Sequence, residues 1–167
     1  ISLIADTVSF DPTTGVLTAS GNVQLFRGTQ VLATERLIYD QRNRHLSVPG
    51  QMTLTDGEDV ITRAAGAELD TDLENGLIEG AELLIQQQLQ LVSERMHRQN
   101  GAFKVLDKVV ATSCQVCAKY PVPFWKIRSR RVIHDEEARQ LYFENATLDV
   151  VGIPVAYVPN LRVPEPG

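Results

Sequence analysis

Leu17-Thr18-Ala19-Ser20-Gly21-Asn22-Val23-Gln24-Leu25 alternates without interruption: Leu17, Ala19, Gly21, Val23 and Leu25 share one side of an extended chain, and Thr18, Ser20, Asn22 and Gln24 share the other. A period of two is the signature of a strand with one apolar face. Turn chemistry brackets the run. Asp11-Pro12-Thr13-Thr14-Gly15 precedes it, with Pro fixing φ and Gly supplying a left-handed position, and Phe26-Arg27-Gly28-Thr29 follows as a hairpin tip.

The same unit returns twice. Gly21, Gly50 and Gly80 each stand ten residues after an aspartate (Asp11, Asp40 and Asp70), and each aspartate follows a large apolar residue, Phe10, Tyr39 or Leu69. Small residues, Ala5, Thr34 and Ala64, sit six positions before the aspartates. A second register agrees, because Gly28 and Gly57 are 29 residues apart and Thr55-Asp56-Gly57-Glu58 reads as another hairpin tip. A repeat near thirty residues means stacked units that cannot bury an apolar face alone. With a turn about every fifteen residues, each unit holds two strands of roughly eight to ten residues. The expected fold class is all-β, a stack of antiparallel strands.

Residues 81–97 test that reading, because Leu, Gln and Glu there are good helix formers. Leu83, Ile85, Leu89 and Leu91 nevertheless fall on odd positions and Gln86, Gln88 and Gln90 on even ones, with Leu84 and Val92 as exceptions. The period of two predicts strand. The one-residue slip after Gly80, relative to Gly21 and Gly50, predicts a β-bulge there.

At 167 residues the chain is one domain with room for a real core, and its net charge of −5 argues against a nucleic-acid surface. No apolar run approaches the roughly eighteen residues of a membrane helix. The absence of an initiator Met, and the ending Val163-Pro164-Glu165-Pro166-Gly167, read as a processed or excised piece. Catalysis finds little support: His45, His97 and His134 are scattered, none beside a nucleophile elbow. The same scatter leaves a zinc site at Cys114-Gln115-Val116-Cys117 without its further ligands. A thioredoxin-type pair would need a helix start, which this strand context does not offer. Structural disulfides, within the pair or to cysteines elsewhere, are the third reading and imply an oxidising compartment. Downstream, Trp125, Ile127 and Ser129 face one way and Lys126, Arg128 and Arg130 the other, a set that reads as a solvated sheet face or as a phosphate contact. Leu141–Val151 returns to strand, and Gly152–Pro159, apolar with a Pro near each end, suits a final edge strand.

Thr112-Ser113-Cys114, Trp125, Ile133-His134-Asp135, Asn145-Ala146 and Ile153-Pro154-Val155-Ala156-Tyr157-Val158-Pro159, in that order, resemble the N-terminal periplasmic domain of the LptD family of OstA-like lipopolysaccharide-assembly proteins. The repeat upstream is similar to the OstA-type β-jellyroll of the bridge components LptA and LptC. The resemblance implies a periplasmic OstA/LptA-like β-jellyroll over residues 1–159, with 160–167 starting a linker to a C-terminal transmembrane β-barrel. It implies no enzyme activity and no cofactor or metal. The implied ligand is lipopolysaccharide, and the implied partners are an LptA-like bridge protein, the chain's own barrel and an LptE-like lipoprotein, at the periplasmic face of the outer membrane.

Carrying acyl chains through water demands an apolar groove, since exposing a dozen methylenes costs on the order of 10 kcal/mol. Candidates to line it are Val8, Phe10, Val23, Leu25, Leu37, Tyr39, Met52, Leu54, Leu69, Ile85 and Leu91. Alternation alone equally fits a closed core, as in a structural or scaffolding module. By resemblance, Cys114 and Cys117 form disulfides, Cys114 joining this domain to the barrel. The first strand, with Ile4, Asp6, Val8 and Phe10, carries neither Lys nor Pro to block its edge and is the expected site for an added strand from the bridge protein.

Overall fold

The computed structural model describes residues 2–57, 60–86, 88–100, 102–113 and 125–165. Cys114 and Cys117 lie outside them. The described chain is all-β, and its strands join a single antiparallel sheet. The first strands are β1 (Ser2–Ile4), β2 (Thr7–Asp11), β3 (Val16–Arg27), β4 (Gln30–Asp40), β5 (His45–Val48), β6 (Met52–Asp56), β7 (Val60–Ala64) and β8 (Gly66–Asp70). Long hairpins follow: β9 (Gly76–Ile85), β10 (Leu89–Gln99), β11 (Phe103–Ser113), β12 (Trp125–Asp135), β13 (Gln140–Val150) and β14 (Ile153–Pro164). The 81–97 segment is strand, as its period predicts, with Leu83, Ile85 and Leu91 buried and Val92 exposed.

The glycine repeat turns out to mark a line of bends across the sheet. β1 and β2 both pair with β3, β5 and β6 with β4, and β7 and β8 with β9, so each of these short pairs is one long strand interrupted midway. The interruptions sit side by side. The Asp6 amide donates to the Gly21 carbonyl at 2.9 Å, the Thr34 hydroxyl donates to the Gln51 carbonyl at 2.9 Å, and the Ala65 amide donates to the Glu79 carbonyl at 2.9 Å. Farther on, the line runs through Gly80, Lys108 and Asn145, with φ of 59°, 52° and 54°. At this line the sheet folds over, so that the two halves of every strand face each other across one core.

Each bend also shifts the alternation by one. In β10 the buried side chains are Leu91 and Ser93 before the bend, then Met96 and Arg98 after it. In β13 they are Leu141 and Phe143, then Ala146, with Asp149 buried farther on, past the register shift after Leu148. Because paired strands bend together, the slip at Gly80 leaves the β9–β10 register intact, and no bulge lies between those strands. Register shifts lie elsewhere: one in the β13–β14 pairing between Leu148 and Asp149, and one in β3 between Ser20 and Val23, where Gly21 and Asn22 together oppose Glu35. That extra residue restores the phase lost at the bend, which is why Leu17–Leu25 alternates unbroken.

Turn aspartates hold one margin. Asp40 Oδ1 accepts from the amides of Arg42 and Asn43, and Asp70 Oδ1 accepts from those of Glu74 and Asn75. Burial pushes the Asp70 carboxyl up, but the Asn75 and Glu74 bonds outweigh it and hold it below the usual carboxylate range. Removing these acceptors in Asp70→Ala is expected to cost about 1 kcal/mol, read as a lower urea midpoint with an unchanged slope.

The other edge extends past its expected limit. β14 runs to Pro164, and Leu161 and Val163 pack against the core, so residues 160–164 belong to the sheet. Among the described residues β14 pairs only with β13 and is an edge, as its prolines suggested.

Candidate functional site

The inner face of the folded sheet is apolar along nearly its whole length. Val23, Leu25, Leu37, Met52, Leu54, Leu69, Ile85 and Leu91 are at most 4% exposed and belong to one core with Leu32, Leu83, Leu106, Val132 and Phe143. Tyr39 packs against that core. Through the middle, the two halves of the sheet are therefore in contact.

At the first edge the packing gives way. Val8 and Phe10 pair with Ala19 and Leu17, so they share the inward side, yet they are 50% and 51% exposed. The opposing half ends here in β1, whose three residues are too few to cover them. Between the halves an apolar recess of about 200 Å³ is lined by Leu3, Leu17, Leu25, Leu37, Tyr39 and Leu46. The inner face thus opens at its N-terminal end in a mouth whose outer rim, beside the recess rather than lining it, is Val8 and Phe10. Along the rim, among the described residues, β1 and β2 pair on one side only, with β3. Of the four residues expected at this partner edge, Ile4 lies in β1, Val8 and Phe10 lie in β2, and Asp6 lies at the break between them, accepting from the Asn22 amide group at 3.0 Å. At the opposite edge, Ile153, Val155 and Tyr157 of β14 are 57–64% exposed.

The cations of β12 are engaged on the outer face. Arg128 donates to both Asp149 carboxylate oxygens, at 2.8 and 3.2 Å, while Lys126 lies 4.0 Å from Asp149 and Arg130 lies 3.7 Å from Glu144. Hydrogen bonding from Arg128 holds the Asp149 carboxyl low. These residues form a cross-strand charge ladder, the solvated-face reading.

A second set of charges escaped the sequence analysis. Where the inner faces of β10, β11 and β12 near the aspartate-turn margin, the apolar series ends in Arg98, Lys104 and His134, which are 3%, 1% and 0% exposed. Arg98 pairs with Lys104, and Lys104 with His134, in consecutive registers. Arg98 donates twice to the Leu73 carbonyl, at 3.1 and 2.9 Å. Lys104 forms an ion pair with Glu136. His134 Nε2 lies 3.2 Å from Glu165, and its Nδ1 is buried without a hydrogen-bond partner. Burial, and then the Arg98 charge, depress the Lys104 ammonium to about 7; burial and the Lys104 charge hold His134 neutral down to about 3. The available signal was parity. All three stand in phase with Met96, Leu106 and Val132, polar residues on the apolar side.

No family model matches the chain, and no curated protein matches it. Among solved structures, the chain is similar to LptH of Pseudomonas aeruginosa, described as the LptA-homologous periplasmic component of the conserved lipopolysaccharide transport device. The identity is 12%, the alignment covers 99% of this chain and 94% of that one, and the TM-score is 0.31. At that level the likeness adds nothing to the strand order and registers described above.

Proposed function

We propose that this chain is a periplasmic lipopolysaccharide-transport domain of LptD type, which takes acyl chains at the N-terminal mouth and passes them along the inner face toward a transmembrane barrel. The observation that carries this reading is the apolar recess at the first edge, lined by Leu25, Leu37 and Leu46 of the inner face, with exposed Val8 and Phe10 beside it. Motif order in the tail supports it from the sequence. An acyl chain entering there would exchange water for apolar side chains, at about 0.8 kcal/mol per methylene. The one-sided edge of β1 and β2 suits strand addition by an LptA-like bridge protein, which would set its apolar rows in line with the recess. The barrel, the LptE-like lipoprotein and the disulfides of Cys114 and Cys117 follow from the resemblance.

The packed middle of the sheet favours a second reading, a scaffold with a closed core. Photo-crosslinking in cells separates the two. A crosslinker at Leu25, Leu37 or Tyr39 is expected to capture lipopolysaccharide, and one at outward Thr18 or Gln24 is not. Capture at neither set would establish the closed core, and equal capture at both would reduce the interaction to surface adhesion.

A further inference from the structure

Three basic side chains in consecutive register on the inner face are costly to bury. Taking the Arg98 and Lys104 ions out of water is unfavourable, as is burying the polar, neutral His134 ring, and well-packed apolar residues of similar volume usually serve a core as well or better. A sheet that only needed filling would continue the series Met96, Leu106 and Val132 with further apolar groups. Instead, Arg98, Lys104 and His134 form a row that borders the apolar face directly, with Leu73, Leu106, Val132 and Leu141 beside it, all at 0% exposure. That juxtaposition, two basic groups and a neutral imidazole donor at the end of an apolar strip, is the complement of an anionic amphiphile.

The covers of this row come from the periphery. Glu136 follows β12 in the turn to β13, and Glu165 follows the edge strand β14. Outside them lie two recesses. One, of about 640 Å³, has the acidic residues Asp56, Asp72, Glu74, Glu136 and Glu137 in its lining against Arg27; the other, of about 210 Å³, is lined by Asp56, Val60, Glu136, Arg139 and Glu165. Glu136 borders both and pairs with Lys104, so that carboxylate stands between these largely acidic recesses and the row. Here the margins of the two sheet halves meet, joined by the Arg27–Asp72 ion pair at 2.9 Å. With side chains 41% and 54% exposed, that pair is a weak closure, worth about 0–1 kcal/mol.

We propose that Arg98, Lys104 and His134 bind the phosphate of an amphiphile's headgroup, in place of the Glu136 and Glu165 carboxylates, while its aliphatic part lies on the adjoining inner face. The site deepens the transport reading and rests on it. Phosphate suits the row because a guanidinium offers a planar fork, an ammonium offers three donors, and the oxygens of one phosphate can take both. Exchanging carboxylates for phosphate also loosens the peripheral covers, so loading and opening of this margin become one event.

Binding by the whole chain of three probes tests this: dodecyl phosphate, dodecyl maltoside and inorganic phosphate, each below micellar concentration, in competition with a fluorescent fatty acid. Dodecyl phosphate is expected to bind at least about tenfold more tightly than the maltoside, which corresponds to about 1.4 kcal/mol. Inorganic phosphate alone is expected to compete poorly. In Lys104→Met/Glu136→Gln, which removes the pair without orphaning either partner, the preference for the phosphate headgroup is expected to vanish while the maltoside affinity stays. Equal affinities of the two amphiphiles for the unaltered protein overturn the headgroup site whether or not the variant folds, and leave the transport reading intact. Inorganic phosphate binding as tightly as dodecyl phosphate also overturns it, in favour of a free-phosphate site. Binding of neither amphiphile removes both readings together.

Discussion

Gly76→Ala is expected to lower the stability of the domain by about 3 kcal/mol or more, which for a chain of this size corresponds to roughly 6–12 °C in Tm. Gly76 opens β9 at φ 146°, a region that residues with a side chain enter only at a cost of about 1–3 kcal/mol. Space is the larger objection. A Cβ at this position would lie 2.2 Å from the Glu68 carbonyl oxygen and 2.8 Å from the Leu69 Cα, both backbone atoms of β8, with which β9 pairs. Relief therefore requires the two strands to part, and Leu69 and Ile78 beside the contact are core residues. Gly28→Ala is the control: its φ is 58° and no atom lies within 4 Å of the added methyl group, so it is expected to cost only about 1 kcal/mol. Similar losses for the two variants would show that the β8–β9 contact yields readily.

Acid is expected to weaken the fold before its carboxylates titrate. His134 is depressed to about 3 in the folded chain against an ordinary value of 6.5, first by burial and then by the Lys104 charge. Between those values the unfolded chain holds the additional proton, so stability falls as pH drops from about 6.5, by on the order of 3 kcal/mol at pH 4. Asp40, Asp70 and Asp149 all lie below the ordinary aspartate value of 3.8, so their contributions are lost at lower pH and leave this window to the histidine. Lys104 acts in the alkaline direction with the same sign. Its folded value near 7 against 10.5 means that stability climbs as pH rises between the two, because the unfolded chain there carries the charge that the folded chain has shed. Urea midpoints from pH 4 to 7.5 measure the acid limb, and His134→Gln, which keeps a neutral donor toward Glu165, is expected to flatten it. An unflattened limb would assign the slope to other groups.

Much of this architecture was legible in the chain. Alternation and turn residues are local quantities, and β3, the helix-rich-looking 81–97 stretch and the aspartate turns at Asp40 and Asp70 are set by them. The glycine repeat carried more than its period, since Gly21, Gly50 and Gly80 lie along the line where the sheet folds over. The bulge was misplaced for an instructive reason. A slip in alternation at Gly80 records a bend shared with the paired strand, whereas the register shift in β3 at Gly21–Asn22 cancels its own bend and leaves the sequence looking regular.

The sequence by itself determined which side chains share a face, because strand geometry imposes a period of two within each segment. What covers that face was decided only by the tertiary structure. Val8 and Leu25 have the same inward parity, but one stands half-exposed at the rim and the other is sealed, according to how far the opposite half of the sheet extends. Likewise, nothing in the spacing of Arg98, Lys104 and His134 joins them. They become one row because β10, β11 and β12 pair in particular registers, and the burial cost of two basic groups and a neutral imidazole arises only after those strands have met.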